Sequence, residues 1–269
     1  MAFSPDDDVS GSLQPLAESV CATTMDLLVE AALRRAAGQL GCVLCRVGEE
    51  AAERYLGSVL GEGTNDPATR SRLDRSWGFC RRHAWHFLGL EWERMRDSLG
   101  MATLSETLVE GAENLLKTYL EAQSLYGQRK RAAGAALDAL TRALTPAEPC
   151  PACDVQAEHE GYAAKVLVRA LGDPDWRGRF TASDGLCLHH LRRALVSEEA
   201  PQDVQWLVED QRRRLHEIRS DLEEYGRKHD YRFSHEPYGR EVSAAIRATN
   251  ALAGSWFNLP RRPRSIPEK

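Results

Sequence analysis

Gly41-Cys42-Val43-Leu44-Cys45 and, 34 residues on, Cys80-Arg81-Arg82-His83 are written again as Cys150-Pro151-Ala152-Cys153 and, 33 residues on, Cys187-Leu188-His189-His190. In both copies the second motif follows a glycine and one apolar residue, Gly78-Phe79 and Gly185-Leu186. Two thiolates three positions apart can chelate one ion from a single turn of backbone, and CxxH adds a thiolate and an imidazole. The spacing therefore predicts two Cys3His metal sites with the ligands Cys42, Cys45, Cys80, His83, Cys150, Cys153, Cys187 and His190.

With one deletion allowed near the start of the second copy, the recurrence extends between the ligands. Tyr55 answers Tyr162, Val59-Leu60 answers Val166-Leu167, and Asp66-Pro67 answers Asp173-Pro174; Arg70, Arg72 and Ser76 match Arg177, Arg179 and Ser183. This is an internal duplication, which bears on the fold before any single element does. The simplest reading closes each metal shell within its own copy, one ion per repeat. Crossed ligation, with the CxxC of one copy completed by the CxxH of the other, satisfies the same spacing.

Around the ligands the chain reads as helix throughout. Met25, Leu28, Ala32, Ala36 and Leu40 make a stripe within 18–40, and Ala52, Tyr55, Leu56, Val59 and Leu60 make another within 49–60. Asp-Pro then stops and restarts the chain in each copy. Thr103-Leu104-Ser105-Glu106 has the form of a capping box opening a longer helix. Pro201 opens the longest segment, with Val204, Val208, Gln211, Leu215, Ile218, Leu222 and Tyr225 at seam spacing. Thr145-Pro146-Ala147-Glu148-Pro149 reads as a linker between halves. The fold class predicted is all-α, an internally duplicated helical bundle. It divides into a disordered leader at 1–17, a first helical repeat at 18–145, a second at 146–257 and a flexible basic tail at 258–269.

The formal charge of −5 gives no global reason to bind nucleic acid or an anionic membrane. Each divalent ion on three thiolates carries a net −1, so two filled sites take the total to about −7. No apolar run reaches the roughly 18 residues of a membrane span, and no secretory signal opens the chain, so the expected location is cytoplasmic. In a reducing compartment paired cysteines read as metal ligands rather than disulfides. Cys21, outside both sets, reads as a buried inert thiol.

The order CPAC, Asp-Pro with arginines, GLCxxH, a long helix, Asp230-Tyr231-Arg232 and a closing helix at Arg247-Ala248 resembles an uncharacterised bacterial family of helical cysteine-rich proteins. The resemblance runs from about Cys42 to Trp256. It implies a bacterial source and metal binding, and no established reaction.

Four protein ligands leave no open position for water or substrate, so the sites read as structural, with zinc as the ion, two per chain, and an iron–sulfur cluster as the alternative. His86 and His189 are spare imidazoles, and Arg81, Arg82, Arg192 and Arg193 are placed to offset thiolate charge. Adjacent glutamates such as Glu49-Glu50 read as solvated. No GxxxxGK[ST], GxGxxG, GxSxG or HExxH occurs, so no catalytic residue is assigned. The predicted function is a zinc-stabilised scaffold, adaptor or regulatory binding protein whose partner is another protein, with a homodimer compatible with the helical seams. A metal- or thiol-dependent enzyme or redox sensor is the alternative.

Overall fold

A computed structural model describes the backbone at 14–126, 130–196 and 201–255, and side chains over the same residues except 14–24, 125–133 and 201–203. The leader up to residue 13, the tail from 256, the Cys21 side chain and the basic cluster Arg129-Lys130-Arg131 lie outside the described side chains. Among the described residues the protein is all-α, with no strand.

The first helices are α1 (Gln14–Ala37), α2 (Val43–Ser58), which runs into a π turn at Val59–Gly63, α3 (Pro67–Ser76) and α4 (Arg81–Met95). A hairpin follows, α5 (Leu99–Tyr126) and α6 (Lys130–Leu144), then α7 (Pro151–Ala170), α8 (Pro174–Ala182) and α9 (Leu188–Leu195). The chain ends with α10 (Pro201–Lys228), a 3-10 turn at Arg240–Ser243, and α11 (Ala244–Ala253).

Sequence chemistry accounts for most boundaries. Asp66 caps α3, its carboxylate accepting from Thr69 N at 2.7 Å, and Pro67 takes the first helical position, where no N–H is missed. Asp173 and Pro174 repeat the device at α8, with Asp175 N as donor at 2.9 Å. The start of α5 is different from the capping-box reading. Thr103 lies inside the helix, its hydroxyl bonded to Leu99 O at 2.7 Å. The cap comes from the buried Glu91, whose carboxylate accepts from Gly100 N and from Met101 N, the latter at 3.0 Å. A nonlocal carboxylate offers the same acceptor as a local cap and leaves no mark in the local sequence.

The molecule comprises two compact units, and they are not the two sequence repeats. Among the described residues, one takes the chain up to Val47 together with 160–255; the other takes Gly48–His159. The boundaries fall inside α2 and α7. The predicted division at 145/146 is therefore corrected: Ala147 N and Glu148 N both donate to Arg75 O (2.8 and 3.2 Å), and Arg75 Nε pairs with Glu148 at 2.5 Å. A proline-rich stretch tied down by three such bonds is a strap within one unit rather than a free linker.

In the first unit the core gathers Leu33, Ala36, Val43, Leu44 and Val47 with Leu167, Leu171, Trp176, Phe180 and Leu207. In the second it gathers Leu56, Val59, Leu60, Leu73, Phe87, Leu90 and Leu104. Burying side chains of this kind stabilises by roughly 1.5–3 kcal/mol each before entropy is subtracted. The seam predicted along α10 holds at Gln211, which is buried, but Val208 and Leu222 are exposed, while Leu207, Asp210 and Lys228 are buried. Hydrophobic spacing misses Asp210 and Lys228 because they are charged and paired internally.

The segment after α10 is an ion-paired junction. Lys228 Nζ donates to Glu241 Oε1 and to Pro237 O, both at 2.7 Å, and Arg247 pairs with Asp221 at 2.6 Å. Hydrogen bonds from Lys228 and from Gly239 N hold the Glu241 carboxyl down to about 2, against an ordinary 4.5. A depressed carboxyl contributes stability that is complete above the unfolded value and is lost as pH falls through the folded one. Glu241→Gln is expected to lower the thermal midpoint at neutral pH and to flatten the loss of stability between pH 4.5 and 2, measured by thermal melts across that range.

Candidate metal centres

Every predicted ligand lies at the entrance of a helix. Cys42 immediately precedes α2 and Cys150 immediately precedes α7, where Pro151 occupies the first turn. Cys80 and Cys187 are the N-cap residues of α4 and α9, both with extended backbone, and their carbonyls accept from Ala84 N and Leu191 N at 2.8 Å. The unsatisfied N–H groups and positive end of a helix dipole favour a thiolate there. The turn into each CxxH needs glycine: Gly78 has φ +84 and Gly185 φ +73.

The eight residues form two groups, and each group draws on both repeats. Cys42 and Cys45 stand with Cys187 and His190; Cys80 and His83 stand with Cys150 and Cys153. The expectation that each repeat closes its own shell is corrected: each group that could hold an ion is crossed between the repeats. The unit boundaries fall within α2 and within α7, so each CxxC and the CxxH that follows it in sequence belong to different units. Each group lies wholly within one compact unit.

In the first unit His190 Nδ1 lies 3.4, 3.3 and 3.3 Å from the sulfurs of Cys42, Cys45 and Cys187, and Cys45 Sγ lies 3.8 Å from Cys187 Sγ. In the second unit His83 Nδ1 lies 3.4, 3.6 and 3.3 Å from Cys80, Cys150 and Cys153, with Cys80 Sγ and Cys153 Sγ 3.6 Å apart. None of the six thiols is in a disulfide. A tetrahedron with metal–sulfur bonds near 2.3 Å and metal–nitrogen bonds near 2.0 Å has S···S edges of about 3.8 Å and S···N edges of about 3.5 Å. The S···N distances of both groups and the Cys45–Cys187 and Cys80–Cys153 separations lie within about 0.2 Å of those edges.

The thiols also share charge as a ligand set does. In the first unit Cys187 is pushed far down by hydrogen bonds from Cys42 and Cys45, while Cys45 is pushed far up by those with Cys187 and Cys42. In the second, Cys153 holds Cys150 down to about 3 and is itself pushed up. Burial alone would lower His190, but hydrogen bonds with Cys187, Cys42 and Glu160 outweigh it and push it up to about 11. Protons thus hold together sulfurs that a cation would hold with all of them ionised.

The surroundings differ between units. Around the first group Gly41 N donates to Asp184 at 2.6 Å, Cys42 N to Ser255 Oγ at 2.8 Å and Val43 N to Gly185 O at 3.1 Å, locking the CxxC turn to the CxxH turn. Ser255 N approaches Cys45 Sγ at 3.4 Å, and a side chain on Gly254 would meet that sulfur. His190 Nε2 lies 3.1 Å from Glu160 Oε2, within ion-pair reach though off the line of a straight hydrogen bond, and Arg193 donates to the same oxygen at 2.9 Å. In the second unit His83 Nε2 has no hydrogen-bond partner among the described residues. There Glu49 pairs with Arg82 and lies 4.0 Å from His86 Nδ1.

Glu49 and Glu160 are therefore buried beside the sites, and the reading of Glu49 as solvated is corrected. Arg82 and Arg193 face these carboxylates. His86 and His189 join neither sulfur group; His189 is exposed and packs edge-on against His190, the ring centroids 5.0 Å apart. The sequence held one cue to Glu160, which precedes Tyr162 by two residues as Glu53 precedes Tyr55.

A family model matches residues 28–258. The chain belongs to DUF6062, a family of unknown function. No curated protein and no solved structure matches it. The DUF6062 match spans all eight residues of the two groups and assigns them no chemistry. Cys45→Ser is expected to halve the bound metal and to make Cys42 and Cys187 reactive to alkylation while Cys80, Cys150 and Cys153 stay protected. Peptide mapping after brief alkylation checks this; exposure of Cys80 in place of Cys187 would restore pairing within the repeat.

Proposed function

We propose that this protein is a helical scaffold pinned by two structural zinc ions, one in each compact unit, which works by binding another protein in the cytoplasm. The observation that carries the reading is the edge lengths of the two Cys3His groups, which fit a single tetrahedral ion of zinc's bond lengths. A polynuclear iron–sulfur cluster interposes several atoms between its ligands and would spread them beyond the 4.8 Å within which these lie. Borderline and soft donors in a closed set of four favour zinc over magnesium or calcium.

A structural role is supported by the completeness of each set. Four protein donors leave no position for substrate, and the ion's work is to join a CxxC turn to a CxxH turn that lies more than 140 positions away in the first unit. The binding energy of such an ion contributes directly to folding. A location in a reducing compartment is supported by six thiols in free form, and no helix of the described residues is long and apolar enough to cross a membrane.

Elemental analysis of anaerobically purified full-length protein is expected to find two zinc ions per chain. Removing them with a chelator is expected to cost most of the helical circular dichroism and cooperative melting, both restored by added zinc. Iron in their place, or a chelated chain that melts as before, would overturn the reading.

A further inference from the structure

The duplication supplies an internal comparison. Ser76-Trp77-Gly78-Phe79-Cys80 of the second unit stands against Ser183-Asp184-Gly185-Leu186-Cys187 of the first. In the second unit the space beside the CxxH turn is filled. The Trp77 indole donates to Ala143 O at 3.0 Å, its ring lies beside Gly111, and a Leu108 methyl sits 3.1 Å from where a side chain on Gly78 would begin. In the first unit Asp184 stands where the other copy has Trp77, and Arg214 covers Gly185 as Leu108 covers Gly78. The result is a polar cavity of about 230 Å³.

Part of the lining is committed to holding the cavity's shape. Arg214 reaches Asp210 and the carbonyls of Phe180, Thr181 and Ser183, while Gln211, fully buried, grips both the N–H and the C=O of Leu186. Arg213 also faces Asp210. The cavity is consequently no bare cationic trap for an anion, because its arginines already face carboxylates.

What remains open is of both kinds. The Asn250 carboxamide makes no hydrogen bond among the described residues, and Arg247 uses Nε and Nη2 on Ser243, Arg240 O and Asp221, leaving Nη1. On the acceptor side Asp184 uses Oδ2 on Gly41 N and keeps Oδ1. Glu217 gives Oε1 to Arg213 at 2.8 Å and holds Oε2 in a long ion pair with Arg240 at 3.8 Å, which leaves that oxygen room for a closer donor. Open cationic and amide donors facing the same small space as open or loosely paired carboxylate oxygens suit a ligand that carries both charges. The volume lies below the roughly 300–1,000 Å³ of sites for drug-sized molecules, which matches a free amino acid rather than a nucleotide or a peptide.

We propose that this cavity binds a small zwitterion of the amino-acid type, its carboxylate taken by Arg247 and Asn250 and its ammonium by Asp184 and Glu217. Cys42 and Cys187 form part of the cavity wall, so the site abuts the first metal group; it stands on the open polar groups opposite and not on which ion those cysteines hold.

The test is calorimetric titration of the full-length chain, its metal content measured beforehand, with the free proteinogenic L-amino acids one at a time, and with acetate and methylammonium as single-charge controls. At least one amino acid is expected to give saturable heat where both controls give none. Asn250→Leu, which removes no internal bond, and Asp184→Asn, which keeps an acceptor for Gly41 N, are each expected to weaken that binding about tenfold or more with metal content and helical signal unchanged. Absence of binding by every amino acid, acetate binding as tightly as the zwitterion, or variants that bind as the parent does would overturn the proposal.

Discussion

Four ligand atoms at the corners of one small tetrahedron must come from two helix entrances, and in this chain the entrances brought together belong to different repeats. Everything else is arranged to let them meet. Cys42 and Cys45 open α2 in one unit, and α2 ends in the other; Cys150 and Cys153 do the same through α7. Neither repeat holds a complete shell of its own. Bringing Cys42 and Cys45 to Cys187 and His190 closes a loop of more than 140 positions, and the entropy cost of closure rises with loop length.

The two centres share geometry and differ in support. His190 has Glu160 and, behind it, Arg193, while His83 turns a bare Nε2 into its unit. Carboxylate partners of this kind orient a ligating imidazole and raise its basicity. The same divergence runs into the space beside each CxxH turn, packed with Trp77 and Leu108 in one unit and left as a polar cavity between Asp184 and Asn250 in the other. One copy thus reads as the more purely structural half.

The parts of this arrangement that depend on neighbours in sequence were legible before any coordinates. Asp66-Pro67 and Asp173-Pro174 start helices because a side-chain acceptor and a missing N–H act within three residues, and Gly78 and Gly185 mark turns that a side chain would strain. All eight residues of the two groups are legible for the same reason. Their pairing is not, since CxxC and CxxH each fix half a shell and say nothing of which half completes it. Glu91 capping α5, Glu49 buried beside His86, and Asp210 buried on α10 escaped because charged residues in a helical pattern carry no signal of the distant group that will satisfy them.

Crystals of the full-length chain, measured on either side of the zinc absorption edge, give the most direct trial of the crossed shells. The account predicts two anomalous peaks per chain, one equidistant from the sulfurs of Cys42, Cys45 and Cys187 and one from those of Cys80, Cys150 and Cys153. A peak that joins Cys45 to Cys80 or Cys153 to Cys187, or the absence of any peak at the cysteines, would contradict it.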